Sequence, residues 1–214
     1  MVNPPIGFII EGHGEFNCYP SLLCRIVGQS GFKVPRVNAG GCGSVVRILA
    51  EHLNDLLLVD NPRHIVVTVD LIDILRQGLA ESHDDLIAKL NEQASRWREV
   101  AIGDPRLQPL PEQIHCLAQV QKFESWLIAD VEGLKTAELV HAHIQQVEDA
   151  EVIQDPSGWL KRALVSDSSV KSPNFAKTVV SALDPERMKL RSASFSRFHD
   201  TCKSAHSSWA AEFA

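Results

Sequence analysis

The sequence lacks several features that would place it in a specialised class of proteins. No stretch approaches the roughly 18 consecutive apolar residues that a membrane-spanning helix requires. The N-terminal segment MVNPPIG has no basic stretch before an apolar signal core. The five cysteines are scattered and form no CxxC pair, which argues against a disulfide framework and against a thiolate zinc site. We therefore expect a soluble, cytoplasmic protein that is not associated with a membrane.

Motifs for nucleotide hydrolysis and for extensive nucleic-acid contacts are also missing. The stretch GGCGSVV lacks the GK[ST] ending of a phosphate-binding loop, so its glycines are expected to form the turn before a helix. The formal net charge of −6 gives no sign of a basic surface. A local metal-bridged phosphate contact remains compatible with that charge. The charge therefore counts mildly against DNA binding.

Strand patterns alternate with helical patterns from Ile6 to Lys135. The segments IGFII and HIVVTVD are short and apolar at both parities, as expected of strands buried on both faces of a parallel sheet. IHCLAQVQ is a further predicted strand. Apolar residues spaced three or four apart predict helices in CYPSLLCRIVGQ, SVVRILAEHLNDLLL, HDDLIAKLNEQASRW and FESWLIADVEGLK. Ser44 is the predicted N-cap of the helix SVVRILAEHLNDLLL. This order predicts an α/β fold with a mainly parallel, Rossmann-like sheet and helices on both faces.

The character of the sequence changes after Lys135. Helical fragments are separated there by the polar segment VSDSSVKSPNFAK. We predict that residues 1–135 form the α/β domain. Residues 136–214 are predicted to form a helical C-terminal extension that packs on this domain as one compact unit.

Acidic side chains stand where two predicted strands end. Glu11 follows GFII and Asp70 follows IVVTV, while Glu15 and Asp73 lie a few residues beyond them. Parallel strands end at one edge of their sheet, so these groups are expected to converge there. Oxygen donors suit a hard divalent cation such as Mg²⁺ or Mn²⁺. The glycines of EGHGE are expected to permit a sharp turn with room for a phosphate.

Each of these acids also has a simpler interpretation. Glu11 and Glu15 would favour the positive end of a helix dipole, and Asp70 and Asp73 would be loop or capping residues. Taken singly, surface carboxylates are more often of this kind. Two apolar strands that both end in an acid form the pattern that a metal site needs.

Several of these segments resemble a known family. IIEGHGE resembles the first motif of TOPRIM domains, in which a glutamate closes the first strand, and VTVDLID resembles the later strand that carries the family's aspartates. FESWLIAD, DPSGWLKRAL and VKSPNFAK…LRSASFSRF extend the resemblance from about Ile6 to Phe198. They resemble a bacterial TOPRIM-like family of unknown function related to the nuclease domains of overcoming-lysogenization-defect (OLD) type proteins.

The resemblance implies roles for individual residues. Glu11 would be the principal acid and Glu15 its partner, with Asp70 as the first aspartate of the later motif. The common pattern is Asp-x-Asp, whereas this sequence reads Asp70-Leu71-Ile72-Asp73, so the second carboxylate is displaced by one residue.

Two further roles follow from the same resemblance. Glu124 would complete a second metal position, although an exposed helix-start glutamate is an equal alternative. Lys171 would neutralise a transition-state phosphate, although a solvated loop lysine is the more common case.

The resemblance implies a Mg²⁺- or Mn²⁺-dependent nuclease, or nuclease subunit, that acts on DNA. OLD-type nucleases join their TOPRIM domain to an ATPase, so a separately encoded ATPase partner in a bacterial anti-phage or DNA-processing system is expected. Two alternatives stay open: a non-catalytic interaction module of such an assembly, and a small-molecule phosphatase or phosphotransferase. A homo-oligomer is compatible with all of them.

Overall fold

The computed structural model of the chain describes residues 5–166 and 168–211. The strands are β1 (Ile6–Ile10), β2 (Arg36–Asn38), β3 (His64–Asp70) and β4 (Gln113–Gln119). The α-helices are α1 (His13–Val27), α2 (Cys42–Arg47), α3 (Leu49–Val59), α4 (Leu71–Arg76), α5 (His83–Ala101), α6 (Phe123–Ile128), α7 (Val131–Thr136), α8 (Pro156–Ala163), α9 (Pro173–Ala182), α10 (Pro185–Lys189) and α11 (Ala193–Ala210). Short 3₁₀ segments lie at Pro105–Leu107 and Ala150–Val152. None of the described helices is both long and apolar enough to cross a membrane.

The four strands form one parallel sheet in the order β2-β1-β3-β4. β1 pairs with β3 in a register that places Ile6 opposite His64 and Ile9 opposite Val67. Every residue of β1 and β3 is buried. This agrees with the prediction that both faces of these strands are covered. The predicted α/β fold with a parallel, Rossmann-like sheet is confirmed.

The chain divides into two compact units whose segments alternate along the sequence. The first unit comprises the described residues up to Gly12, Ser30–Ala118 and those from Thr201 onward. The second comprises His13–Gln29 and Gln119–Asp200. The division at residue 135 that the sequence suggests stays a prediction.

The core of the first unit lies between the sheet and the helices α2 to α5. Leu53 and Leu56 of α3 and Leu86 and Leu90 of α5 belong to the same buried cluster as the alternate residues 65, 67 and 69 of β3. This pattern follows from the 3–4 spacing of apolar residues on a helix and the spacing of two on a strand. A Cβ on Gly7 would lie 2.5 Å from Cγ of Pro62, so β1 can pass this loop only with glycine at that position.

The prediction of one continuous helix capped by Ser44 is wrong in two respects: the helix starts earlier, and it is broken into two. Gly40 and Gly41 have positive φ angles of 75° and 131°, which glycine adopts without strain, and α2 begins directly afterwards at Cys42. Ser44 therefore lies inside α2, and its Oγ is 2.9 Å from Nε2 of His52. Ile48, with φ −130°, separates α2 from α3.

An aromatic cluster forms the centre of the second unit. The ring centroids of Trp126 and Phe198 are 4.8 Å apart, and those of Tyr19 and Phe198 are 5.0 Å apart. The indole Nε1 of Trp126 donates a hydrogen bond of 2.8 Å to Oγ of Ser194. The single buried polar atom of the tryptophan is therefore satisfied, which permits its complete burial.

Asp130 separates α6 from α7, so the segment FESWLIADVEGLK forms two helices where one was predicted. Its side chain is fully buried and accepts from the backbone N–H of Gly133, which caps α7, and from that of Asp184. Arg187 donates to both carboxylate oxygens, at 2.8 and 3.0 Å. This carboxylate has four donors and a structural role.

We expect Asp130→Ala to lower the free energy of unfolding by about 3 kcal/mol, because it leaves two backbone N–H groups and a guanidinium without their acceptor. Burial raises the pKa of Asp130, but hydrogen bonds from Arg187 and from two backbone N–H groups outweigh it and hold that pKa below its usual value. The stabilisation is thus complete above about pH 4 and is lost as pH falls through the folded-state pKa. Urea unfolding at several pH values measures both effects.

Glu92→Ala is the control for this measurement. Glu92 pairs with Arg96 one helical turn away on α5, and both side chains are more than half exposed. Exposed pairs of this kind contribute at most about 0.5 kcal/mol. Equal decreases in the free energy of unfolding for Asp130→Ala and Glu92→Ala would show that the buried carboxylate stabilises the fold no more than an exposed one.

Candidate metal site

Three carboxylates converge in the first unit. Glu11, Asp70 and Asp73 each offer an oxygen, and these oxygens all lie within 4.8 Å of one another. Among the residues that the structure describes, this is the only group of three or more histidine, cysteine or acidic side chains so arranged. We call it the acidic cluster.

The pairing of β1 with β3 brings the first two members together. Glu11 follows the last residue of β1 and Asp70 is the last residue of β3, so the parallel register carries both to one edge of the sheet. The backbone N–H of Asp70 donates a hydrogen bond of 3.1 Å to Oε2 of Glu11. This bond holds one oxygen of Glu11 beside the end of β3.

Asp70 occupies the N-cap position of α4, but its side chain makes no capping hydrogen bond. The residue is buried, with only 6% of its surface exposed. A buried acid that does not cap its helix does not fit the simple interpretation of Asp70 as a helix-capping residue.

Asp73 reaches the cluster because α4 begins immediately after Asp70. Residues three apart lie on the same side of a helix, so the residue inserted relative to Asp-x-Asp is accommodated by the first helical turn. Arg76, one turn further, places Nη1 3.6 Å from Oδ1 of Asp73. This guanidinium is largely exposed and only partly offsets the negative charge.

Cys42 and Gln77 also belong to this region, and sequence analysis did not identify them. Nε2 of Gln77 donates to Sγ of Cys42 at 3.0 Å. Burial, followed by the negative charges of Glu11 and Asp73, raises the pKa of the Cys42 thiol to about 11. Without a bound cation the thiol is therefore protonated at neutral pH. The positive-φ turn at Gly40 and Gly41 positions it, and GGCGS was the only signal for it in the sequence.

The chain bends at Glu11 and Gly12 after β1, as expected of EGHGE, and the room for a phosphate stays a prediction. Neither Gly12 nor Gly14 is among the described residues with positive φ. Gly14 lies inside α1, where an added Cβ would be 3.4 Å from the ring of Phe123. An added methyl group would make ordinary van der Waals contact there, so packing does not require glycine at position 14.

The donor set fits a hard divalent cation. All three groups offer carboxylate oxygens, which Mg²⁺ and Mn²⁺ prefer. Opposite ligands of a Mg²⁺ ion are about 4.2 Å apart, twice the metal–oxygen distance of about 2.1 Å. The three oxygens of the cluster lie within 4.8 Å of one another, so small side-chain rotations bring them to the distances that one ion requires.

The other predicted ligands, Glu15 and Glu124, lie in the second unit. Glu15 is 5% exposed on α1, and Glu124 is in the first turn of α6. Burial and then the charges of both glutamates raise the pKa of the Cys18 thiol above its usual range. Both carboxylates therefore act on one thiol, and their role as ligands stays a prediction.

Lys171 lies in the second unit as well. It lines a cavity of about 380 Å³ together with Glu124, Lys161 and several serines. Its backbone carbonyl accepts a hydrogen bond of 2.8 Å from Nδ2 of Asn17. No pattern in the sequence indicates that Glu124 and Lys171 share a cavity, and the catalytic role of Lys171 stays a prediction.

A family model described as a domain of unknown function (DUF4276) matches residues 10–203 of the chain. The matched region contains all three members of the acidic cluster and most of both compact units. No curated protein and no solved structure matches the chain significantly.

We expect Mn²⁺ to bind the acidic cluster and to stabilise the protein by about 2.7 kcal/mol at a concentration 100 times its Kd. Asp73→Asn should weaken Mn²⁺ binding at least about tenfold, because it removes one charged ligand. In EDTA the same variant should be as stable as the wild type or more stable by up to about 1 kcal/mol, since like charges at this separation repel. Electron paramagnetic resonance of free Mn²⁺ and thermal unfolding measure the two effects.

Asp84→Asn is the control, because Asp84 is an exposed acid in the first turn of α5. It should leave Mn²⁺ affinity unchanged. A loss of stability in EDTA without a change in Mn²⁺ affinity for Asp73→Asn would show that the cluster is structural.

Proposed function

The chain belongs to the DUF4276 family, whose description names no activity, and we propose that it is a Mg²⁺- or Mn²⁺-dependent phosphodiesterase acting on DNA. One observation carries this proposal. The ligand atoms of Glu11, Asp70 and Asp73 lie within 4.8 Å of one another at the edge where β1 and β3 end. Ligand sites of parallel α/β sheets gather at this edge.

Glu11, Asp70 and Asp73 would hold the ion. A bound divalent cation supplies Lewis acidity, which polarises a phosphoryl oxygen and lowers the pKa of a bound water. The Asp70 N–H orients the Glu11 carboxylate. The buried position of Asp70 limits competition from bulk water and strengthens its interaction with a cation.

The choice of DNA as substrate is supported by the TOPRIM-like motifs IIEGHGE and VTVDLID. The same resemblance supports a separately encoded ATPase partner, because the sequence has no nucleotide-hydrolysis motif of its own. Glu15 and Glu124 are proposed as ligands of a second ion, and Lys171 as a group that neutralises phosphate charge. The shared cavity of Glu124 and Lys171 in the second unit supports their participation in one polar site.

The displaced second aspartate, taken from the sequence alone, favours a non-catalytic module. Asp73 nevertheless contributes an oxygen to the acidic cluster, so the displacement no longer argues for lost metal ligation. We therefore place the hydrolytic function first.

We expect the wild-type chain with Mn²⁺ to cleave supercoiled plasmid and linear DNA, assayed with and without a co-purified ATPase subunit and ATP. Glu11→Gln should reduce the rate more than about 100-fold, because loss of even a second-shell partner of a metal costs 10- to 100-fold. The glutamine can still accept from the Asp70 N–H, so folding should be retained. Circular dichroism and the unfolding midpoint check this.

Glu92→Gln, on the exposed face of α5, should cleave at the wild-type rate. Assays with bis(p-nitrophenyl) phosphate and p-nitrophenyl phosphate separate diester from monoester hydrolysis. Activity on the monoester alone would indicate a small-molecule phosphatase. Equal DNA cleavage by wild type and Glu11→Gln would exclude this site.

A further inference from the structure

A second concave site lies on the first unit. It is a cavity of about 400 Å³ bounded by α3, the C-terminal half of α5 and the 3₁₀ segment Pro105–Leu107. Its lining shares no residue with the acidic cluster. The volume is within the range of small-molecule pockets.

The cavity has a fixed apolar wall. Trp97, Ala101 and Leu107 line it, and each of these side chains belongs to the buried core. The indole Nε1 of Trp97 donates a hydrogen bond of 2.8 Å to Oδ1 of Asn54. This bond fixes the orientation of the indole, so the wall is formed before any ligand arrives.

Two half-buried amides on the lining have spare hydrogen-bonding capacity. Asn54 accepts from Trp97 through Oδ1, and within the described chain its Nδ2 has no acceptor. Gln93 donates from Nε2 to the carbonyl of Val46 at 2.6 Å, and within the same part of the chain its Oε1 has no donor. A flat molecule with both a donor and an acceptor would satisfy these groups.

The rim of the cavity carries charged side chains, and one positive group among them has no ion-pair partner in the described chain. Arg47 lines the cavity, is exposed and forms no ion pair with a described residue. The carboxylate of Asp104 is held by Arg106, whose Nε and Nη2 donate to it at 2.6 to 3.2 Å. Arg96 also lines the cavity, but its guanidinium is paired with Glu92. The guanidinium of Arg47 is therefore the group available to an anion.

We propose that this cavity binds a small organic anion with a flat apolar body, such as an aromatic carboxylate, sulfonate or phosphate ester. The body would lie against Trp97 and Leu107, and the anionic group would lie at Arg47. A packing defect is a poor alternative, because such voids are small and apolar, whereas this one is open and is lined by two amides and two guanidinium groups. The cavity requires no metal ion, so its occupancy does not depend on the proposed hydrolytic function.

The probe for this site is 1-anilinonaphthalene-8-sulfonate, whose fluorescence rises in apolar surroundings. Titration of the full chain should show saturable binding at one site. Ala50→Trp fills the cavity from α3, where Ala50 is an exposed lining residue, and should weaken binding at least about tenfold. Ala88→Trp is the matched control, since Ala88 is an exposed residue of α5 outside the cavity, and it should bind as the wild type does.

Arg47→Glu tests the charge. It should weaken binding of the sulfonate at least about fivefold and leave binding of the uncharged N-phenyl-1-naphthylamine unchanged. Circular dichroism and the unfolding midpoint check that each variant is folded. Non-saturable binding by the wild type, or equal affinities for wild type and Ala50→Trp, would overturn the proposal. Equal loss of both probes in Arg47→Glu would overturn the assignment of an anion.

Discussion

The parallel pairing of β1 with β3 is the constraint on which the candidate metal site depends. Both strands are buried along their whole length, so their alignment is set by packing on two faces and by the backbone ladder. Because both run in the same direction, the residues that follow them emerge at one edge. Glu11 and Asp70 are distant in sequence, yet the Asp70 N–H bonds the Glu11 carboxylate. A shift in this register would separate the two acids.

Surroundings, and not residue type, decide what each acid of this chain does. Asp130 is fully buried and receives four hydrogen bonds, including two from Arg187, so its charge is neutralised within the second unit. The acidic cluster brings three carboxylates together, and the largely exposed Arg76 pairs with one of them. An excess of negative charge at a sheet edge is the condition under which a cation binds favourably. Burial, and after it the negative charges of Glu11 and Asp73, raises the pKa of the neighbouring Cys42 thiol.

β1 and β3 were predictable because burial on both faces of the sheet favours short runs that are mostly apolar on both faces, as in IGFII and in IVV of β3. β2 is only three residues long and partly buried, and it was not predicted. The acids at the strand ends were predictable from the edge rule for parallel sheets. The break at Ile48 was not, because α2 and α3 carry one continuous apolar periodicity while the backbone changes at a single residue. The position of Cys42 near Glu11 and Asp73 could not be predicted either, because it depends on the positive-φ turn at Gly40 and Gly41.

The sequence by itself determined the fold class and the two strand ends that carry Glu11 and Asp70, because both follow from local apolar patterns and the direction of the strands. Only the tertiary structure decided that Asp73 joins them despite the extra residue, since that depends on α4 starting directly after Asp70. Only the tertiary structure decided that Asp130 is structural and that Trp97, Asn54 and Arg47 line one cavity. These relations join residues far apart in sequence, and no local pattern encodes which distant side chain or backbone group a residue will face.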